Sequence, residues 1–223
     1  MQESWGERQL VLFWSGGKDS FLTLRALQAR VRAGDAAKIL LLTTFSQETR
    51  IVAFQNTKIE AVVAQAEHEE LDLLAIPLVG GDASLPQGPY MKAVLDALDS
   101  LSDQVEALCF GDLHLEDIRD WRVNTFGDHF PCQFPVFKRP YEELMAALWE
   151  EQAAGRVEVL LTAVREDLKD ICSELRVGRI FDSSFVDALR GLEGHSPIDL
   201  MGENGEFHSH VYFLPVEPAA VVT

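Results

Sequence analysis

Residues 9–14, QLVLFW, form a short apolar run that stops at Ser15-Gly16-Gly17, and beyond it the apolar spacing changes. Phe21, Leu22, Leu24, Leu27 and Val31 recur as on one face of a helix, closed by Gly34, so the pattern predicts strand, tight turn, helix. A second strand is predicted at 38–45, KILLLTTF, whose unbroken apolar character suits a strand covered on both faces. Thr57 followed by Glu60 suggests a capping box for a helix burying Ile59, Val62, Val63 and Ala66. A third strand follows at 72–78, then a loop at 80–88, then a helix opened by Pro89 with Met91, Val94, Leu95 and Leu98 on its apolar face. Residues 105–111, VEALCFG, make the fourth strand.

Strands alternating with helices in this way predict an α/β fold, doubly wound around a mainly parallel sheet. The pattern loosens between Asp112 and Phe137, with a short helix expected from Glu116 to Val123. It resumes with Pro140 at a helix start, Glu142 and Glu143 in the first turn, Leu144, Met145 and Leu148 on one face, and Gly155 as the stop. A strand at 157–163, short helices near 167–173 and 182–190, and an extended segment from Glu206 to Leu214 complete the chain. A boundary near Phe134 divides it into a larger domain, 1–134, and a smaller α+β domain, 135–223. No internal repeat or low-complexity tract interrupts either.

Composition narrows the classes. With 223 residues, 47% of them hydrophobic, the chain can bury one substantial core or two unequal ones. It has no basic leader ahead of its first apolar run and no apolar run near the length of a membrane span, so the expected location is the cytoplasm. Cys109, Cys132 and Cys172 are widely spaced and show no CxxC pair, which suits a reducing compartment, and Cys109 falls in a run that reads as a buried strand. The 36 acidic side chains outnumber the 19 basic ones, for a net charge of -17, and no Lys/Arg cluster offers a polyanion a footing. No nucleic-acid partner is expected. A small phosphate ligand feels its pocket more than the global charge, so nucleotide binding is compatible.

Three stretches carry candidate chemistry. In Ser15-Gly16-Gly17-Lys18-Asp19-Ser20, glycines let phosphate oxygens approach backbone N–H groups, and the helix beginning at about Lys18 adds unpaired donors and the positive end of its dipole. Lys18 is expected to be exposed and to neutralise phosphate charge, so its loss should hardly alter stability. Asp19 would repel a bare phosphate, so its role is to reach Mg²⁺. The plainer alternative is a tight turn with an exposed lysine. Neither GxxxxGK[ST] nor GxGxxG is present, and SGGKDS resembles instead the pyrophosphate loop of N-type ATP pyrophosphatases.

The second stretch, GDLHLEDIRDWR at 111–122, puts Gly111 and Asp112 at a carboxyl edge of the sheet, where ligands bind in open α/β folds. Glu116, Arg119 and Asp120 fall at helical spacing, and Arg119 and Arg122 can offer guanidinium forks to a carboxylate or phosphate; a solvated helix with local ion pairs is the alternative. The third, GENGEFHSHV at 202–211, is a polar turn, Glu203, Asn204, Gly205 and Glu206, before a strand in which His208 and His210 share a face. Two histidines at that spacing can ligate zinc, but a third ligand is missing.

In this order the three stretches resemble the diphthine ammonia ligase family, and most its bacterial relatives, over nearly the whole chain. The resemblance implies an adenine nucleotide alpha hydrolase-like fold of the HUP type. It implies that Ser15, Gly16, Gly17, Lys18, Asp19 and Ser20 hold ATP with Mg²⁺, and that Gly111 and Asp112 take the position after the fourth strand. We place Thr43, in the second strand, in the nucleotide set with them. Glu203, Gly205 and Glu206 match the late motif where substrate meets nucleotide. The family's form of that motif is GEGGEFET; here Asn204 replaces a glycine and His208 enters the threonine/glutamate region.

The implied reaction adenylates a carboxylate of a small molecule or a protein and passes the acyl group to ammonia or an amine. Lys18, Asp19, Arg119 and Glu206 are the expected catalytic residues, with Glu206 as base for the amine. Arg119, Arg122, Glu203, Asn204, Gly205, Glu206 and His208 would contact the substrate. Two rival readings are a nucleotide-sensing module without turnover and an enzyme that modifies transfer RNA. The second calls for reactive cysteines and a basic surface. Association into a homodimer is possible on this reading, with no interface singled out.

Overall fold

The computed structural model describes residues 8–34, 38–52, 55–79, 88–192 and 198–215. Most of the loop expected at 80–88 lies outside them. Strand β1 (Gln9–Phe13) leads through the Ser15–Gly17 turn into α1 (Lys18–Arg32), and the pattern repeats as β2 (Lys38–Ser46), α2 (Ile59–His68), β3 (Asp72–Leu78), α3 (Pro89–Asp99) and β4 (Val105–Cys109). A short helix α4 (Glu116–Phe126) and a two-residue strand β5 (Cys132–Gln133) follow. The five strands form one parallel sheet in the order β3-β2-β1-β4-β5. This is the doubly wound parallel sheet that the alternating pattern predicts, in the HUP- and Rossmann-like arrangement that the resemblance implies. Because the chain moves outward from β1 in one direction and then returns to its other side as β4, the carboxyl ends of β1 and β4 flank a crevice.

The two-residue periodicity of the strands sorts their side chains between two cores. Leu10, Leu12 and Trp14, with Leu41 and Cys109, face a core filled by α1, α2 and the C-terminal region. Val11, Leu42, Leu108 and Phe110 face the other, closed by Val94 and Leu98 of α3 and Phe126 of α4. Cys109 is fully enclosed in the first core, and burial pushes its thiol up to about 12.

The smaller region has α5 (Tyr141–Ala153), β6 (Val157–Val164), α6 (Ser183–Arg190) and β7 (Phe207–Phe213), with β6 and β7 paired antiparallel. It shares the first core: Leu144, Val159, Phe185 and Phe207 join the same cluster as Leu12 and Phe21. The segment at 167–173 is only a single 3-10 turn, Glu166–Leu168, and the helix begun at Glu116 runs past Val123 to Phe126.

The capping box is corrected. Helix α2 begins at Ile59 behind Lys58, with no side-chain cap. Instead Val52 bridges Phe45 and Ile51 bridges Lys58, the Thr57 hydroxyl donates to the Gln55 carbonyl, and Glu60 pairs with Arg50.

The second core supplies a stability test. Phe126 is fully buried and touches the rings of Phe13, Phe110 and Trp121. Phe126→Ala should lower unfolding free energy by about 3–5 kcal/mol, whereas Val177→Ala, at a side chain 62% exposed, should stay within about 0.5 kcal/mol; urea titration measures both.

Candidate functional site

The turn between β1 and α1 is tightly enclosed. Gly16 has φ +78°, and a Cβ there would come within 2.7 Å of the Gln65 side-chain oxygen and 3.1 Å of His210 Nδ1, so both its conformation and its surroundings demand glycine. Behind the turn, the Gly16 carbonyl accepts from Val211 N at 2.9 Å and from Gln65 Nε2 at 3.0 Å. In front, α1 opens at Gly17 with no side-chain cap. Gly17 N donates to Ser15 Oγ and Lys18 N to Ser209 Oγ, each at 3.3 Å, near the long limit for such bonds. Backbone donors at a helix N-terminus that are held this loosely suit an anion.

Gly111 brings the end of β4 against this turn. A Cβ there would lie 3.1 Å from the Asp19 carbonyl and from the Thr23 hydroxyl, a contact that a side chain would force apart. The close approach places Asp112 at the same crevice as Asp19. The cavity that results has a volume of about 320 Å³. Its floor carries Ser15, Gly17, Lys18, Asp19 and Ser20; Thr43 and Thr44 of β2 lie to one side, Gly111, Asp112 and Arg122 to the other. Gly202, Glu203, Gly205, His208 and Ser209 close it from the smaller region. The three stretches singled out in the sequence therefore meet at one place.

Lys18 departs from expectation. Only 3% of its side chain is exposed; its ammonium pairs with Asp19 at 2.9 Å and lies 5.7 Å and 5.5 Å from the ring centres of Phe181 and Phe207. The smaller region, which no local pattern could place there, wraps the lysine. Burial raises the Asp19 carboxyl above its ordinary range, Lys18 opposes that, and the carboxylates of Asp199 and Asp112 add to the rise. Asp19 Oδ1 has no hydrogen-bond partner among the described residues.

Arg122 lies 4.8 Å above the Phe110 ring and faces Asp112 at 3.4 and 3.5 Å, a loose pair at the cavity wall. Arg119, in contrast, points away: it pairs with Asp120 and stacks on Phe134 and Phe137, and is not among the residues lining the cavity. Glu116 is drawn off to Lys138, so the expected cluster on one face of α4 separates into surface pairs.

The late motif divides too. Glu203 accepts from the N–H groups of Leu113, His114 and Leu115 at 2.7, 3.0 and 3.3 Å, bracing the start of α4 while facing the cavity. Burial nevertheless leaves its carboxyl raised. Asn204 is exposed and reaches back to Glu206 Oε1. The Glu206 side chain, 2% exposed, lies behind the wall, accepting from Asp199 N at 3.0 Å, and does not line the cavity. His208 does line it, and burial together with Lys18 lowers its pKa. His210 instead sits beneath Gly16, 3.3 Å from Gln65 Nε2, with burial lowering its pKa to about 4.

Three residues that local sequence patterns did not single out brace the wall behind Glu203 without lining the cavity. The Tyr141 hydroxyl donates to Asp199 Oδ2 at 2.9 Å, which leaves its oxygen to accept from His114 Nδ1 at 2.6 Å. Asp199 Oδ1 in turn accepts from Met201 N and Glu203 N. These partners are brought together from segments far apart in the chain, so no local pattern marks them.

No protein-family model and no curated protein matches the chain. Among solved structures it is similar to a U34-tRNA thiolase, NcsA, from Methanococcus maripaludis, determined with its 4Fe-4S cluster. The two are 15% identical with a TM-score of 0.39, over 67% of this chain and 58% of the thiolase, so the chain spans less than two thirds of that protein. Among the described residues, no helix is long and apolar enough to cross a membrane, and no group of three or more His, Cys, Asp or Glu converges to hold a metal ion.

Two measurements check this electrostatic arrangement. Lys18→Ala leaves Asp19 facing Asp112 and Asp199 without its cation, so thermal unfolding at neutral pH should show a loss of at least about 1–3 kcal/mol, the cost of a buried polar group left without its partner, partly recovered by adding Asp19→Asn. His210, ordinary pKa 6.5, is held neutral in the fold down to about 4. Its contribution is therefore complete above 6.5 and is lost as pH falls toward 4, because only the unfolded chain takes up the proton in that window. The slope of stability against pH there should be shallower in His210→Gln.

Proposed function

We propose that this protein is an ATP-dependent, AMP-forming ligase that adenylates a carboxylate and transfers the acyl group to ammonia or an amine, in the manner of the diphthine ammonia ligase family. The observation that carries the reading is the uncapped start of α1 behind a glycine turn, with Lys18 beside it, in the crevice between β1 and β4. The turn is short and lacks the wrap of GxxxxGK[ST], so it suits a departing pyrophosphate better than an activated γ phosphate.

In the first step a substrate carboxylate oxygen attacks the α phosphorus, and the bond to the bridging oxygen breaks with its electron pair leaving on pyrophosphate. The N–H groups of Gly17 and Lys18, with the Lys18 ammonium, stabilise that charge. Arg122 binds the carboxylate in place of its loose contact with Asp112, a bidentate geometry that also orients the attack. In the second step the amine nitrogen attacks the acyl carbon, and AMP departs. His208, uncharged because its pKa is lowered and placed on the cavity wall, takes the proton from nitrogen. Glu206 holds the turn behind it rather than acting as the base.

Magnesium fits this site through Asp19, whose buried Oδ1 is an oxygen that a hard cation would take. When bound, the ion would neutralise phosphate charge beside Lys18.

Incubation with ATP labelled at the α phosphate, Mg²⁺, ammonia and a pool of carboxylated metabolites should give labelled AMP and pyrophosphate only when the right acid is present, with an amide of matching mass. Carboxylate-dependent ADP and inorganic phosphate would reject the mechanism. Tight ATP binding without any turnover would point instead to a sensing module.

A further inference from the structure

The Gln65 side chain on α2 is 3% exposed, and its amide is fully committed. Its oxygen accepts from Trp14 Nε1 at 2.9 Å, and its nitrogen donates to Val211 O at 2.6 Å and Gly16 O at 3.0 Å, with His210 Nε2 3.3 Å away. Packing alone would be served by leucine, without the expense of stripping water from an amide. Gln65 therefore joins the end of β1, the phosphate turn and β7 at one point for a reason other than filling space.

That reason lies in peptide geometry. The Gly16 carbonyl and the Gly17 N–H belong to the same planar trans unit, so they point in opposite directions. Glycine stands on both sides of this unit, and Gly16 is at φ +78°, so little in the local chain resists a flip. Gln65 Nε2 and Val211 N hold the carbonyl on the side away from the cavity, which leaves the Gly17 N–H facing forward with only its 3.3 Å contact to Ser15 Oγ. A flipped peptide would present an oxygen to the anion instead.

We propose that Gln65 is a positioning residue for the nucleotide phosphates, locking the Gly16-Gly17 peptide so that its N–H faces them. This rests on the reading of the turn as the ATP phosphate site. Gln65 touches no phosphate itself; it acts through Gly16.

The test is calorimetric titration of the intact protein and Gln65→Leu with inorganic pyrophosphate, Mg-ATP and adenosine. The variant should bind pyrophosphate and Mg-ATP about tenfold more weakly, the effect of one buried hydrogen bond, while adenosine affinity stays within about twofold. Unchanged pyrophosphate affinity overturns the proposal, as does an equal loss for adenosine, which is what general loosening would give. If Gln65→Leu does not fold, Gln65→Glu decides, because it keeps the length and the acceptor for Trp14. Protonated, it can still donate to one carbonyl; ionised, it repels both. Because a carboxylate beside His210 would raise the pKa of that imidazole, the variant is made in a His210→Gln background, and its pyrophosphate affinity relative to His210→Gln alone should be higher at about pH 5 than at about pH 8. A flat ratio overturns the proposal. Wild-type protein that binds neither pyrophosphate nor ATP rejects the ATP reading and the proposal with it, whereas wild-type binding with an unaffected variant rejects the proposal alone.

Discussion

One backbone hydrogen bond, from Val211 N to the Gly16 carbonyl, ties the two sheets together at the point where the chemistry is expected. Because of it, β7 runs directly behind the turn, Ser209 meets the first N–H of α1, and Phe207 comes to lie against Lys18. The smaller region is thus no appendage. It supplies the back wall of the turn, one side of the cavity and a share of the same core that holds α1 and α2 against the large sheet.

The charge distribution follows from this closure. A molecule of net charge -17 keeps Lys18 and Arg122 at the cavity, the first between aromatic rings and an aspartate, the second above Phe110. Three carboxylates, Asp19, Asp112 and Glu203, line the same space. The local field is therefore mixed rather than simply positive, and the polyphosphate binding proposed for it would depend on directed backbone donors and a divalent ion more than on long-range attraction.

The large sheet was legible because each of its first four strands is an apolar run bounded by polar or glycine punctuation, and because helices of clear 3.6-residue spacing separate them. The glycine turn was legible for the same reason: a strand stops and a helix starts around it. What escaped were contacts between distant segments. Lys18 looked exposed because Phe181 and Phe207 stand more than 160 residues away. Gln65 and Tyr141 looked like ordinary helix positions, and nothing local distinguishes a glutamine that faces a turn from one that faces water. Thr57 matched a capping pattern, but its hydroxyl donates to the Gln55 carbonyl and the neighbouring Lys58 bridges Ile51. Arg119 and Arg122 are indistinguishable by spacing; the twist of α4 sends one outward over Phe134 and Phe137 and the other inward over Phe110.

Cys109, enclosed in β4 with its thiol proton bound up to about 12, has a further meaning. A thiol in that state is invisible to alkylating reagents, which attack the thiolate, until the central sheet parts and water reaches it. Since β4 is hydrogen-bonded on both sides, its exposure coincides with loss of the crevice itself. The molecule carries an internal clock: the rate at which Cys109 becomes modifiable reports how often the crevice between β1 and β4 ceases to exist, separately from any motion of the outer loops.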